Sequence, residues 1–351
     1  MSRERPAGDG VDVAIVSPLH ASHVERIRRV SPRLQVHHHP ELLPTPRYEA
    51  DHIGDPPQRD DDAQRCWREM LATAEVAFDV DYHDVEGFMR AAQAVRWIQL
   101  SSAGIGGLVQ RYRLDGLGAT LTTAAGVHAR PLAEFVLFGM LAFAKNYPRA
   151  RRQREARVWE RFHNDDLEGS SLAIVGLGSI GREIARLVRP FGVRVTATKR
   201  HAHEVDPHVL GVDALYAPHD LHRMLEGADY VVVATPLTPE TQGMIDAAAF
   251  GAMKQGSVLI NIGRGAVVEE MALLHALKQG PLAGAVLDVA PQEPLPSNHP
   301  LWTLDNVILF PHSASTSRKE NDRLVELFCD NLTRYLDGRP LRNVYDPARR
   351  Y

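Results

Sequence analysis

SLAIVGLGSIGREIARLVRPFGVRVTATKR (171–200) decides the fold. An apolar run ends in a glycine turn, a helical pattern follows, and a second β-branched run closes the unit. Gly176, Gly178 and Gly181 form G-x-G-x-x-G between strand and helix, the setting in which this spacing carries meaning. The first glycine permits a tight turn, the second lets the backbone approach a pyrophosphate, and the third allows close helix–strand packing. The helix begins near Ser179 and Ile180, where unpaired N–H groups and the positive dipole end face a phosphate. Dinucleotide sites that select NAD place an acid at the end of the second strand. Lys199 and Arg200 stand there instead. Two cations attract a 2′-phosphate where a carboxylate would repel it, so NADP(H) is the expected preference. NAD(H) held through backbone contacts, with both cations solvated, is the other reading.

Outward from this unit, the 351-residue chain suits roughly two domains. Its 44% hydrophobic and 24% charged residues exclude a mainly disordered or fibrous protein. The net charge of -4 comes with no basic stripe, so no nucleic-acid partner is expected. Two cysteines cannot make a disulfide framework, and MSRERPAGDG (1–10) lacks a signal's apolar core. No apolar run is long enough to span a membrane. The expectation is a cytoplasmic protein.

Before the glycine turn, short strands are expected at 11–16, 34–38, 75–80, 96–100 and 119–123. Helices lie between several of them, and a Pro- and Asp-rich surface loop is expected at 40–62. A long helix is expected over 128–145 and a polar one over 149–160. After the turn, YVVVAT (230–235), SVLINI (257–262), GAVLDV (284–289) and NVILF (306–310) read as strands, and 317–336 as an amphipathic helix. Such alternation argues for α/β architecture with parallel sheets.

Three strand ends carry chemistry. Arg264 follows one in N-x-G-R-G, Asp288 and Glu293 lie at and beyond another, and His312 follows a third. Ligands of open α/β sheets sit beyond the carboxyl ends of strands, so residues far apart in sequence can converge there.

These pieces resemble the D-isomer-specific 2-hydroxyacid dehydrogenase family. The resemblance rests on GLGSIG (176–181), TPLTPETQGMI (235–245), LINIGRGAVV (259–268), GAVLDVAPQEPLP (284–296), HPLW (299–302), NVILFPHSA (306–314) and, more loosely, AGVHARPLAEFVL (125–137). It implies a Rossmann-type dinucleotide-binding domain (121–313) inserted into a flavodoxin-like substrate domain (1–120 and 314–351). It further implies that His312 moves the proton, Glu293 orients and charges its imidazole, and Arg264 grips the substrate carboxylate and polarises its carbonyl. Histidine suits proton transfer near neutral pH, and a planar guanidinium suits a carboxylate. Asp288 would accept from the nicotinamide carboxamide. Thr235 and Ile262 would line the cofactor through their backbone. Ala103 and Gly104, in SSAGIGG (101–107), would bind the substrate carboxylate through N–H groups. No metal site is expected at His37–His39. His128 is expected to cap the long helix or make an interdomain contact.

The implied activity is reduction of a small 2-oxo acid to a D-2-hydroxy acid, of the glyoxylate or hydroxypyruvate type. A homodimer joined through the 128–145 region is implied as well. The alternative is a dinucleotide-sensing, corepressor-like binding protein. Phe310, Ala290, Ser315 and Gly107 depart from the family's usual residues and bear on the side-chain pocket rather than on the Arg264, Glu293, His312 set.

Overall fold

The computed structural model describes residues 10–348. Along the chain run β1 (Val11–Ile15), α1 (Ala21–Arg28), β2 (Leu34–His37), α2 (Asp61–Thr73), β3 (Val76–Phe78), α3 (Val85–Ala91), β4 (Trp97–Gln99), α4 (Gly106–Tyr112) and β5 (Thr120–Thr122). These strands form one parallel sheet in the order β2-β1-β3-β4-β5. Next come α5 (Ala129–Ala144), α6 (Tyr147–Ala156), β6 (Ser171–Val175), α7 (Ser179–Val188), β7 (Arg194–Thr198), β8 (Ala214–Tyr216), α8 (Leu221–Leu225) and β9 (Tyr230–Val233). They are followed by α9 (Ala247–Ala252), β10 (Ser257–Asn261), α10 (Glu270–Lys278), β11 (Leu282–Leu287), β12 (Val307–Leu309) and α11 (Glu320–Leu336). The second sheet is also parallel, in the order β12-β11-β10-β9-β6-β7-β8.

Two compact units result. The described residues up to His128, with those from Thr316 onward, form the first; Ala129–Ser315 form the second. The chain therefore crosses after His128 and after Ser315, not at 120 and 313. β5 is the cause: Thr122 is in register with Gln99 of β4, and Ala124 N–H donates to Ser102 O at 3.0 Å. Residues 121–128 thus belong to the first unit. The return helix α11 belongs there too. Phe328 packs against Phe78 and Trp97 with ring centroids 5.1 and 5.2 Å apart, and buried Asn331 donates to Gln99 Oε1. His128 Nε2 pairs with Glu320 Oε1 at 3.1 Å, inside the first unit.

Central strands such as β6 and β9 are apolar on both faces because helices cover each side. α7 buries Ile184, Ala185 and Val188 on one stripe against α5. Gly139 lets α5 approach the second sheet, since a Cβ there would lie 3.0 Å from Val286 Cγ2.

The 40–62 segment has little regular structure, yet it is anchored rather than loose. Leu42 and Leu43 are buried in the core. The Arg59 guanidinium pairs with Asp81 at 2.6 Å, stacks 4.0 Å from the Trp67 ring, and is almost fully buried. Asp51 accepts from the Arg47 side chain and the Gly54 N–H. Burial pulls its carboxyl upward, but these donors win and hold it well below the usual carboxylate range.

Candidate active site

In the second unit the strand order reverses between β6 and β9, and the glycine turn leaves β6 at that point. Gly176 has φ +103°, and a Cβ there would lie 3.1 Å from Ala234 O and Thr235 Cα, just past β9. Both restrictions demand glycine. A Cβ on Gly181 would meet Gly176 O at 2.7 Å, so the helix can seat against its turn only without one. Gly178 differs: it is exposed, and a Cβ there would meet nothing within 4 Å. No side chain caps α7, so the backbone N–H groups around Ser179 and Ile180 face that open space without a side-chain acceptor. This is a cradle for an anion, and it suits a dinucleotide pyrophosphate.

Lys199 and Arg200 follow β7 directly. Lys199 N–H donates to Tyr216 O in the edge strand β8, which fixes where the basic pair leaves the sheet. Neither side chain has a carboxylate partner among the described residues, so both remain available to a phosphate. Thr235 is half-buried beside the Gly176 turn, and buried Ile262 donates its N–H to Val233 O at 3.2 Å.

Three neighbouring strands, β10, β11 and β12, present the other candidates. Asn261, buried at the end of β10, shapes the next turn: its Oδ1 accepts from Gly263 N–H and its Nδ2 donates to Arg264 O. Arg264 sits between two glycines that allow close backbone approach. A Cβ on Gly263 would lie 2.9 Å from Thr235 O, and one on Gly265 would collide with the Ala290 carbonyl. The half-buried guanidinium donates to Gly263 O at 2.8 Å and has no carboxylate partner among the described residues.

Past β11, the Glu293 carboxylate folds back to accept from Ala290 N–H at 3.0 Å, and its other oxygen lies 2.7 Å from His312 Nδ1. A proton on Nδ1 leaves Nε2 as the free end of the imidazole. His312 has φ +53°, an uncommon conformation for a residue with a Cβ, and backbone bonds hold it there. Its N–H donates to Asp288 O at 2.7 Å, while Asp288 Oδ1 accepts from Ser313 and Ala314 N–H groups at 2.8 and 2.9 Å. Burial raises the Asp288 carboxyl and the two backbone donors oppose that rise. Asp288 therefore has a local task that sequence reasoning missed: it pins the turn bearing His312. Its Oδ2 has no partner among the described residues and stays available to a ligand amide. The structure thus brings Arg264, Asp288, Glu293 and His312 to adjacent strand ends of one sheet. Ala103 and Gly104 lie in the other unit, in the turn between β4 and α4.

The sequence was also compared with known proteins. A family model described as "D-isomer specific 2-hydroxyacid dehydrogenase, NAD binding domain" matches residues 137–314. A glyoxylate reductase of Korarchaeum cryptofilum is 37% identical over 227 residues, 63% of this chain and 67% of that protein. Among solved structures, a D-isomer specific 2-hydroxyacid dehydrogenase family protein of Aeromonas salmonicida superposes with a TM-score of 0.77 at 29% identity, covering 96% of this chain and 99% of that one. A D-isomer specific 2-hydroxyacid dehydrogenase of Xanthobacter autotrophicus, in complex with NADPH and MES, gives a TM-score of 0.76 at 27% identity over 98% of this chain and 100% of that one.

Proposed function

The chain belongs to the D-isomer specific 2-hydroxyacid dehydrogenase family, and from that premise we propose that it reduces a small 2-oxo acid to its D-2-hydroxy acid with NADPH preferred over NADH. Glyoxylate and hydroxypyruvate are the proposed substrates; the Korarchaeum cryptofilum relative, a glyoxylate reductase, supports the first. The observation that carries the reading is the 2.7 Å contact between Glu293 and His312, one strand away from Arg264, which has no carboxylate partner among the described residues.

The dinucleotide, when bound, supplies the hydride. Gly176, Gly178 and Gly181 with the start of α7 would hold its pyrophosphate, Lys199 and Arg200 a 2′-phosphate, Thr235 and Ile262 its backbone-facing surface, and Asp288 its carboxamide. Arg264 draws the substrate carboxylate and polarises the 2-oxo group. His312, as imidazolium, gives the proton from Nε2 to the carbonyl oxygen and is left neutral; Glu293 favours the charged form before transfer and orients the ring through Nδ1. In the reverse direction His312 takes that proton back. Ala103 and Gly104 would add N–H donors to the substrate carboxylate. The basic pair after β7 supports NADPH, as does the NADPH complex of the Xanthobacter autotrophicus relative. We further propose a cytoplasmic homodimer associating through the 128–145 region. Among the described residues no helix is long and apolar enough to cross a membrane.

The test is steady-state oxidation of NADPH and NADH with a panel of 2-oxo acids. Turnover with a kcat/KM ratio favouring NADPH is expected, and Lys199→Asp should lower that ratio. No turnover with any acid would overturn the reading and leave a dinucleotide-sensing binding protein. A wild-type ratio below one would overturn the cofactor preference alone.

A further inference from the structure

HPLW (299–302) marks the segment between Glu293 and β12, and no step above uses it. The Glu293–His312 pair poses a physical problem. Its side chains are 39% and 42% exposed, and Glu293 lies in a long excursion from the sheet. An exposed ion pair contributes too little to hold a loop in one geometry by itself. Catalytic geometry is far less tolerant, and about an ångström of misplacement can cost 100-fold in rate.

Something else must therefore restrain the loop, and the structure contains a chain of bonds that does so. Pro296 O, three residues after Glu293, accepts from His299 N–H at 3.0 Å and from the Trp302 indole Nε1–H at 2.8 Å. Trp302 is 54% exposed, so burial does not account for that bond. His299 is mostly buried. Its Nδ1 accepts from Leu301 N–H at 3.2 Å, which places a proton on Nε2, and Nε2 reaches Glu270 Oε1 at 2.9 Å. Glu270 opens α10, the helix entered directly from the Arg264 turn. The near end of the excursion is fixed too, because Gly265 lies against Ala290. The loops bearing Arg264 and Glu293 are thus joined at both ends. Pro294 and Pro296 stiffen the span between.

We propose that Trp302, His299 and Glu270 are positioning residues, a brace that holds the Glu293 carboxylate against His312. The proposal rests on the reductase reading for its kinetic consequence but not for its structural one. Ala290 N–H donates to the same Glu293 carboxylate, so its hydrogen exchange reports carboxylate position whether or not the protein turns over.

The experiment compares wild type with Trp302→Phe, which keeps the ring and loses the donor, and with His299→Gln. In each, the Ala290 amide exchange rate, kcat across pH, the dinucleotide Kd and Tm are measured. The expected result is faster Ala290 exchange and a kcat lower by roughly tenfold. The basic limb of the reduction profile should move to lower pH, with dinucleotide Kd and Tm retained. Glu270→Ala should lose more than Glu270→Gln, which keeps an acceptor for His299. Unchanged exchange and kcat would overturn the brace. A loss of exchange protection and kcat in step with Tm and dinucleotide binding would overturn it as well, showing a merely structural part. Should wild type reduce no 2-oxo acid, the reductase reading fails and Ala290 exchange alone decides the brace.

Discussion

Each unit has a parallel sheet whose strand order reverses once, and the two reversal points are finished in opposite ways. In the second unit the reversal at β6 and β9 ends in Gly178, exposed and with open space where a side chain would stand. In the first unit it lies between β1 and β3, and the chain's own side chains fill it. Ser17 follows β1, Asp79 follows β3, and His52 reaches in from the 40–62 segment to place Nδ1 2.7 Å from Ser17 Oγ. Tyr82 OH donates to Asp79 Oδ1 at 2.9 Å. His52 Nε2 and Asp79 Oδ2 are buried without a hydrogen-bond partner among the described residues. Parallel sheets create a crevice at such points as a matter of topology. Local residues then decide whether a ligand or a side chain enters it.

The same contrast separates two histidines. His52 and His312 each have Nδ1 2.7 Å from an oxygen. Burial pushes His52 below its ordinary value, against the pull of Asp79. Its partner is a neutral hydroxyl. His312 is exposed and faces a carboxylate. The proposed proton transfer rests on the second alone. The sharpest way to break this comparison is to remove each imidazole. His312→Ala should lower kcat by about 10²–10⁴-fold while dinucleotide Kd and Tm hold. His52→Ala should lower Tm instead. A kcat loss from His52→Ala equal to that from His312→Ala would erase the distinction.

The open crevice offers a smaller effect. Gly178→Ala adds a methyl group where no protein atom lies within 4 Å, so Tm should not change. In the proposed binding mode the added Cβ occupies the approach of a pyrophosphate. The KM for dinucleotide should rise by roughly tenfold, equivalent to ~1.4 kcal/mol of binding. A lower Tm with unaltered KM would mean that the space is not where the dinucleotide sits.

What could be read from the sequence follows the same division. GLGSIG was legible because its strand, turn and helix are contiguous in sequence, with all three glycines inside six residues. Arg264, Glu293 and His312 were legible as residues shortly after apolar runs and through resemblance. The sealed crevice was not. Ser17, His52 and Asp79 meet only through β1–β3 pairing and a loop that composition alone presented as plain surface chain. β8 escaped for a related reason: three half-buried residues at a sheet edge give too short a pattern, although Tyr216 positions Lys199. The crossing at His128 was displaced from 120 because β5 is assigned by its partner strand, not by its own residues.

The smallest effect tests the seal itself. Burial disfavours the charged form of His52 and lowers its affinity for a proton in the folded chain, and it regains the ordinary value, near 6.5, on unfolding. Below that pH the unfolded state binds the extra proton, so the stability held at higher pH is lost as pH falls, by at most about 1.4 kcal/mol per pH unit for one proton. Asp79 works in the opposite sense. Burial raises its carboxyl above 3.8, so its contribution is present at low pH and lost as pH rises through the raised value. Urea unfolding of wild type and His52→Gln between pH 7.5 and roughly 5 separates the two. Glu320, Asp51 and His128 also act on His52, and the same neighbours remain in both proteins. Wild type should lose more stability on acidification than the variant, and the difference should open around pH 6.5. Parallel slopes would mean that His52 takes up its proton while folded, and the first crevice would then be wet and open like the second.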